Sequence, residues 1–485
     1  MKHRVIIIGA GAGGLSMAII LAKCGFSVTV IEKNRFPGGM MRSYIRKGIA
    51  CHTGIHYLGA LAKGQILRRF FDWLGITADI SLERMGKKGI IDRYIFNDFL
   101  FDLPEGADAY ENNLRSAFPH EQKQIDGIMA MLRPAVEKIS SPDFLFAEHR
   151  DAASPGDFLP VGKILDDLGC SPGLKAVLSV PSCWIGVPPD QCPAFYHNTA
   201  LASYLLSSWR VKENVQMADV FANRLLSLGG KLICGDGAAA ILAENREVKG
   251  LRLLSGRELT APLLIGAVHP KVILSMLPAK EVRPLYRKRI SQLKDTHSIF
   301  ALHATVDASR HDEIPYNIFK MDSCEKGEIS DLKYYQLRKS SVPDKLLFSI
   351  LTSGRPEHWQ KWEKTQSGRR GKDYTEAKEK MAKQLIAESE SILGPLYDCR
   401  LLDTYTPLSI RDRVGSPGGS AYGIMRSCDQ LLAASMLNRT AVKGLFLAGQ
   451  NVTAPGILGT VMGSFHTAGH IVGAEKFRKE IAENL

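Results

Sequence analysis

The chain has 485 residues, 45% of them hydrophobic and 23% charged, with a net charge of +12. That composition is ordinary for a globular protein, and the length allows two or three domains with sizeable cores. It contains no low-complexity block and no apolar run able to span a bilayer, and no cleavable leader is expected, since the run Val5–Ile8 is too short and reads as opening a strand directly. The nine cysteines follow no CxxC or metal-like spacing, and an odd count makes a poor disulfide framework, so a reduced, cytoplasmic setting is expected. The basic charge comes without a helix-turn-helix or RNA-binding signature. It suits a solubilising surface or attraction to the anionic inner face of a membrane.

In chain order, strand Arg4–Ile8, a glycine turn, helix Leu15–Lys23 and strand Val28–Ile31 form a βαβ half-unit. Helical stretches follow at Ile66–Leu74, Gln122–Ile139 and Leu174–Val180, interrupted by turns at Pro104, Pro142, Pro155 and Pro188-Pro189. Helix Asp219–Ser227 stops at Gly229-Gly230. Lys231–Cys234, Ala239–Ala243, Val248–Leu254 and Leu259–Ile265 then read as a β-meander. Strands are expected at Phe300–Val306 and Lys345–Leu351, and the charged stretch Gly354–Lys380 reads as a solvated loop and helix. Strand Leu445–Ala448 and a helix from about Thr460 to Lys479 close the chain. The expected fold is α/β: a discontinuous, doubly wound Rossmann-like cofactor domain with a β-meander (1–65, 215–290 and 436–485), plus an inserted mixed α+β substrate domain (66–214 and 291–435).

Gly9-Ala10-Gly11-Ala12-Gly13-Gly14 follows the first strand directly. In such a fingerprint Gly9 permits the tight turn, Gly11 lets backbone approach a pyrophosphate, and Gly14 packs helix on sheet, while amides from Ala12 and Gly13 onward meet the phosphates. Glu32 ends the second strand, where a carboxylate accepts hydrogen bonds from an adenosine ribose and repels a 2′-phosphate, with Lys33 beside it. Gly38-Gly39-Met40 and Arg42 then bring bare backbone and a cation toward a bulky ligand. Some 430 residues later Gly449-Gln450-Asn451 offers polar groups for a ribityl chain, and Gly459 is expected to open a helix whose dipole favours a reduced, anionic flavin. A long cofactor gripped from both ends of the chain favours FAD over NAD.

These residues resemble the phytoene desaturase-like branch of FAD-dependent oxidoreductases, close to the retinol saturases and carotenoid isomerases. Thr53-Gly54-Ile55-His56-Tyr57-Leu58-Gly59 resembles that branch's segment under the flavin. Thr406-Pro407-Leu408-Ser409, Gly418–Gly423 and Leu447–Gly463 resemble its late segments. The likeness departs at His52 and Asn451, where the family usually carries Asp, and at Trp209–Asn214, which replaces a glycine-rich turn.

The resemblance implies addition or removal of hydrogen across C=C bonds of a long polyene or isoprenoid, or their isomerisation. His56, Tyr57, His52 and Tyr422 are the candidate proton donors and acceptors. The electron donor, with NAD(P)H as the candidate, binds transiently in the cleft or is another protein. Val272–Leu277, followed by Lys280, Arg283, Arg287, Lys288 and Arg289, reads either as an interfacial dip for an apolar substrate or as a core strand with a solvated basic helix. Two other readings share the N-terminal signature: an amine-oxidase-type flavoenzyme, and a non-catalytic prenyl-lipid carrier related to GDP-dissociation inhibitors.

Overall fold

Two sheets organise the chain. The computed structural model describes residues 3–87, 89–141, 144, 155–212, 216–435 and 437–482. The expected turn at Pro142 and the Glu213-Asn214 end of the replaced turn lie outside the described residues. The strands of the two sheets are, in chain order, β1 (Arg4–Ile8), β2 (Ser27–Glu32), β3 (Asp92–Ile95), β4 (Leu100–Leu103), β5 (Lys231–Cys234), β6 (Leu263–Gly266), β7 (Ile299–Asp307), β8 (Asn317–Ser323), β9 (Ile329–Lys339), β10 (Lys345–Ser353), β11 (Arg400–Tyr405) and β12 (Leu445–Leu447).

The first sheet has the order β5-β2-β1-β6-β12 and every pairing in it is parallel. Its central strands carry unbroken apolar runs because both faces are covered. Helix α1 (Ala12–Lys23) is buried from Gly13 to Leu21 and packs against α2 (Gly456–Val472). A helix apolar on nearly every side belongs between layers rather than at the surface.

The second sheet has the order β11-β7-β10-β9-β8-β3-β4 and is antiparallel except where β8 runs parallel to β3. That exception sets Asn317 opposite Asp92.

Several expectations need correction. The meander has three strands, Ala238–Glu244, Glu247–Leu253 and Glu258–Thr260. Lys231–Cys234 instead pairs with β2 at the edge of the parallel sheet. Leu259–Ile265 is divided between the two sheets at Pro262, which lacks the N–H a continuous ladder requires.

Val272–Leu277 is not a strand. Helix Pro270–Met276 buries Ile273 and Leu274, and Leu277 just beyond is buried too. The Gly354–Lys380 stretch is less solvated than its charge implies, since Trp359, Trp362 and Tyr374 are buried against the second sheet's core. Gly473, at φ +100°, divides the terminal helix into Gly456–Val472 and Ala474–Ala482. Among the described residues no helix is long and apolar enough to cross a membrane.

Candidate active site

The two glycine clusters meet. A Cβ placed on Gly13 would lie 2.6 Å from the Gly449 Cα, and one on Gly463 would lie 2.6 Å from the Gly449 carbonyl oxygen. The Ser464 hydroxyl donates to the Gly13 carbonyl at 2.9 Å, so the starts of α1 and α2 are locked together. Only side-chain-free backbone allows this approach. At Gly14 a Cβ would fall 1.9 Å from the Gly9 oxygen, the close helix–strand packing its position implied.

Next to this contact is space. A Cβ on Gly11 would meet nothing within 4 Å, and one on Gly39 would meet only the Gly11 Cα, at 3.3 Å. The first turn of α1 has no side-chain cap and no acidic residue, leaving its amides for an anion. An open, uncapped helix start beside bare glycine backbone fits a dinucleotide pyrophosphate.

Glu32 is buried, and its carboxylate accepts from the Ala10 amide at 2.9 Å and from the Asn34 amide and side chain at 2.9 and 2.7 Å. It therefore braces the glycine turn. The Lys33 amine donates to the Asp412 carbonyl at 2.8 Å.

The Arg42 guanidinium is paired with Asp219 and the Pro37 carbonyl rather than left open for a ligand oxygen. Gly38 is demanded by packing, because a Cβ there would lie 2.5 Å from that of Ala218. Gly459 does not open the last helix. Gly456 does, and Gly459 lies one turn in, with the Ala454 oxygen 2.5 Å from any Cβ it might carry. The Asn451 side-chain oxygen is engaged by the Ile424 amide at 2.9 Å, and the buried Arg426 donates to its carbonyl.

Beyond the start of α2 lies a cavity of about 560 Å³. Its wall takes Gly54–Gly59 from the segment after β2, and Phe195, Tyr196 and Tyr204 from helix Ala194–Leu206. Trp184, Phe319, Tyr334 and Leu351 continue the wall, and Thr453–Gly459 adds the loop before α2 and its first turn. The volume suits a sizeable ligand and the lining an apolar one. Asp331, the one carboxylate on the wall among the described residues, is paired with Lys333 and Arg355.

Three of the four expected proton carriers, His56, Tyr57 and Tyr422, line this cavity; His52 does not. His52 is buried, with Arg338 donating to its Nε2 at 3.3 Å and Ser43 Oγ 3.1 Å from Nδ1. Burial, reinforced by the Arg338 charge, keeps its ring neutral far below the ordinary histidine range. Neither ring nitrogen of His56 makes a hydrogen bond, and burial holds that ring down to about 3. Burial thus favours the neutral form of both histidines. Tyr422 is pushed up to about 12 by burial.

Tyr57 donates to Asp92 Oδ2 at 3.0 Å, and Asn317 Nδ2 donates to Asp92 Oδ1 at 2.7 Å. The Asn317 side-chain oxygen in turn accepts from Arg210 (3.1 Å), Tyr334 (3.0 Å) and Gln336 (2.8 Å). Burial lifts the Asp92 carboxyl to about 7, against the opposing hydrogen bonds and the Arg210 charge.

No sequence motif marked Asp92, Asn317, Arg210, Tyr334 or Gln336. The available signal was the alternation over Asp92-Arg93-Tyr94-Ile95, which puts an acid in phase with buried Tyr94. Arg210 falls within the replaced turn, so that departure does reach the site.

Residues 7–74 match the model of the NAD(P)-binding Rossmann-like domain. The all-trans-retinol 13,14-reductase of Danio rerio is 22% identical over 96% of this chain and 85% of its own length. A chloroplastic prolycopene isomerase 2 from an Oncidium hybrid cultivar is 23% identical over 93% of this chain and 80% of its own. The chain is thus similar, across most of its length, to reductases and isomerases named for retinol and prolycopene.

The fold is shared with solved structures. An oxidoreductase from Methanosarcina mazei superposes with a TM-score of 0.68 at 14% identity, covering 96% of this chain and 99% of that one. A triple mutant of putrescine oxidase, from a redesign of cofactor binding, gives 0.66 at 14% identity, covering 98% and 99%. At these identities the likeness concerns architecture alone.

Proposed function

We propose that this protein is an FAD-dependent oxidoreductase that saturates, desaturates or isomerises C=C bonds of a long apolar polyene or isoprenoid. The observation that carries the reading is the apolar cavity walled by the start of α2, the same helix that packs through Gly463 and Ser464 on the contact between the two glycine clusters. The α1 amides, Gly11 and Gly38-Gly39 would hold the pyrophosphate, Glu32 the ribose, and Gly449-Gln450-Asn451 the segment toward the cavity. When bound, the flavin supplies hydride exchange with a carbon of the alkene.

The chain does the rest. Phe195, Phe319, Trp184 and Leu351 exclude water and align the hydrocarbon. The first turn of α2, without a side-chain cap, directs amide dipoles toward the cavity. Tyr57 and Tyr422 hold protons on its wall, and NAD(P)H is the candidate transient electron source.

Amine oxidation is disfavoured because Asp331, the wall's carboxylate, is already paired and leaves no anionic partner for an ammonium group. The test is purification of the full chain, identification of any released flavin by mass, and anaerobic incubation with all-trans-retinol or prolycopene. A gain or loss of two hydrogens, or an isomer of unchanged mass, is expected. A colourless protein would instead support the lipid-carrier reading, and flavin reduction by amines with peroxide release would support the amine-oxidase one.

A further inference from the structure

The cavity wall is apolar except at a few places, and one of these has unusual depth. Behind Tyr57 lies Asp92, fully shielded from solvent and 3.0 Å from the Tyr57 hydroxyl. No cation touches the Asp92 carboxylate among the described contacts. Arg210 reaches it only through Asn317, whose amide donates to one Asp92 oxygen while its carbonyl accepts from Arg210. An ionised carboxylate in such a place is costly, whereas a protonated one fits. The groups facing it are the phenols of Tyr57, Tyr94, Tyr204 and Tyr334 and the guanidinium of Arg210.

The hydrogen-bond arithmetic then has a consequence. A protonated Asp92 donates from Oδ2 to the Tyr57 oxygen, which turns the phenol's own hydrogen away from Asp92 and toward the cavity. We propose that Asp92 is the proton store of this site and that it acts through Tyr57, whose hydroxyl passes the proton to a carbon of the bound alkene. The assignment rests on the polyene-modifying reading above.

In the reductive direction the cofactor, when bound and reduced, would supply a hydride to one alkene carbon, and the π pair forms the new C–H bond to the Tyr57 proton at the other. The Tyr57 oxygen takes the Asp92 proton in the same event. The substrate gains H⁻ and H⁺, the dinucleotide is oxidised by two electrons, and the negative charge comes to rest on Asp92. Asn317 and the Arg210 charge behind it stabilise that carboxylate until solvent restores the proton. Tyr57 is the catalytic residue in this scheme, and Asp92 a positioning and storage residue.

Two measurements on the full-length flavoprotein separate this proposal from the functional reading. The first needs no turnover. Infrared titration of the wild type should show one buried carboxylic acid losing its proton near pH 7, a signal absent from Asp92→Asn. In Tyr57→Phe the midpoint should move upward, because the lost hydrogen bond favoured the ionised form.

The second is the pH–rate profile with all-trans-retinol as probe. Wild-type turnover should fall as pH rises through the same midpoint. Tyr57→Phe should lose about 10²-fold or more of the rate, in line with a general acid. Asp92→Asn should lose rate and abolish that limb while keeping its flavin. A titration with no Asp92-dependent acid, or an Asp92→Asn enzyme with an unchanged limb, overturns the proposal. If Asp92→Asn does not fold, an unmoved midpoint in Tyr57→Phe overturns it equally. Failure of the wild type to convert any polyene sinks the functional reading alone, since the titration still decides where the proton is held.

Discussion

The nucleotide end and the cavity end of this protein are built from different materials. The first is main chain: glycine backbone from two distant segments in contact, helix amides left uncapped, and one carboxylate bracing the turn. The second is side chain: aromatic rings from many segments around about 560 Å³, with a hydrogen-bonded polar cluster behind one wall. Backbone sites tolerate almost no added atom where they touch, whereas side-chain sites trade one group for another at modest cost. The contrast separates fold from chemistry, and mutations can test it.

The largest effect is expected at the junction. Gly13→Ala and Gly14→Ala place a methyl group 2.6 Å from the Gly449 Cα and 1.9 Å from the Gly9 oxygen. Each should cost about 3 kcal/mol or more, read as a lowered Tm or lost soluble yield.

Acidification should act next, and at the cavity end. Burial holds His56 down to about 3 and His303 to about 4, and lowers His52. The unfolded chain therefore binds more protons as pH falls from about 6.5, and each histidine costs on the order of 1 kcal/mol per pH unit until its folded value is reached. Asp92 works in the opposite sense: its raised value means the folded state holds the extra proton, so its share of stability is present at low pH and is lost as pH rises toward 7. Three histidines outweigh one carboxyl, so Tm should fall between pH 6.5 and 5, and His56→Phe should flatten the slope.

Tyr334→Phe should be milder, about 1 kcal/mol by chemical denaturation, because Asn317 keeps two other donors. The smallest stability effect belongs to Gly11→Ala, whose methyl group enters open space at an extended φ of −74°. Unfolding of the flavin-free protein should be unchanged while flavin retention drops. A retained flavin would mean that the pyrophosphate does not pass Gly11.

This contrast also explains what could be read in advance. The first βαβ unit was legible because its glycines, strand and Glu32 are contiguous and each position has one physical reason. Gly459 was misplaced because a glycine-rich run does not say which glycine starts the helix; the backbone turn at Gly456 does. Lys231–Cys234 alternates like any short strand, and its parallel partner lies some 200 residues earlier, beyond local pattern. Val272–Leu277 is a short apolar run that fits a strand or a helix equally, so only the tertiary structure could choose the helix. Arg42 was assigned by its nearness to the glycines, yet Asp219 claims it.

From the residues alone came the dinucleotide fingerprint, the convergence of both chain ends on it and kinship with polyene-modifying enzymes, since each is written in short runs with fixed backbone demands. The tertiary structure alone decided which side chains share the cavity, how the histidines are kept neutral, and that Asp92 stands behind Tyr57. Those facts depend on strands β3 and β8 lying side by side across more than two hundred residues. Burial and proximity are properties of a packed chain, and no local run of residues encodes them.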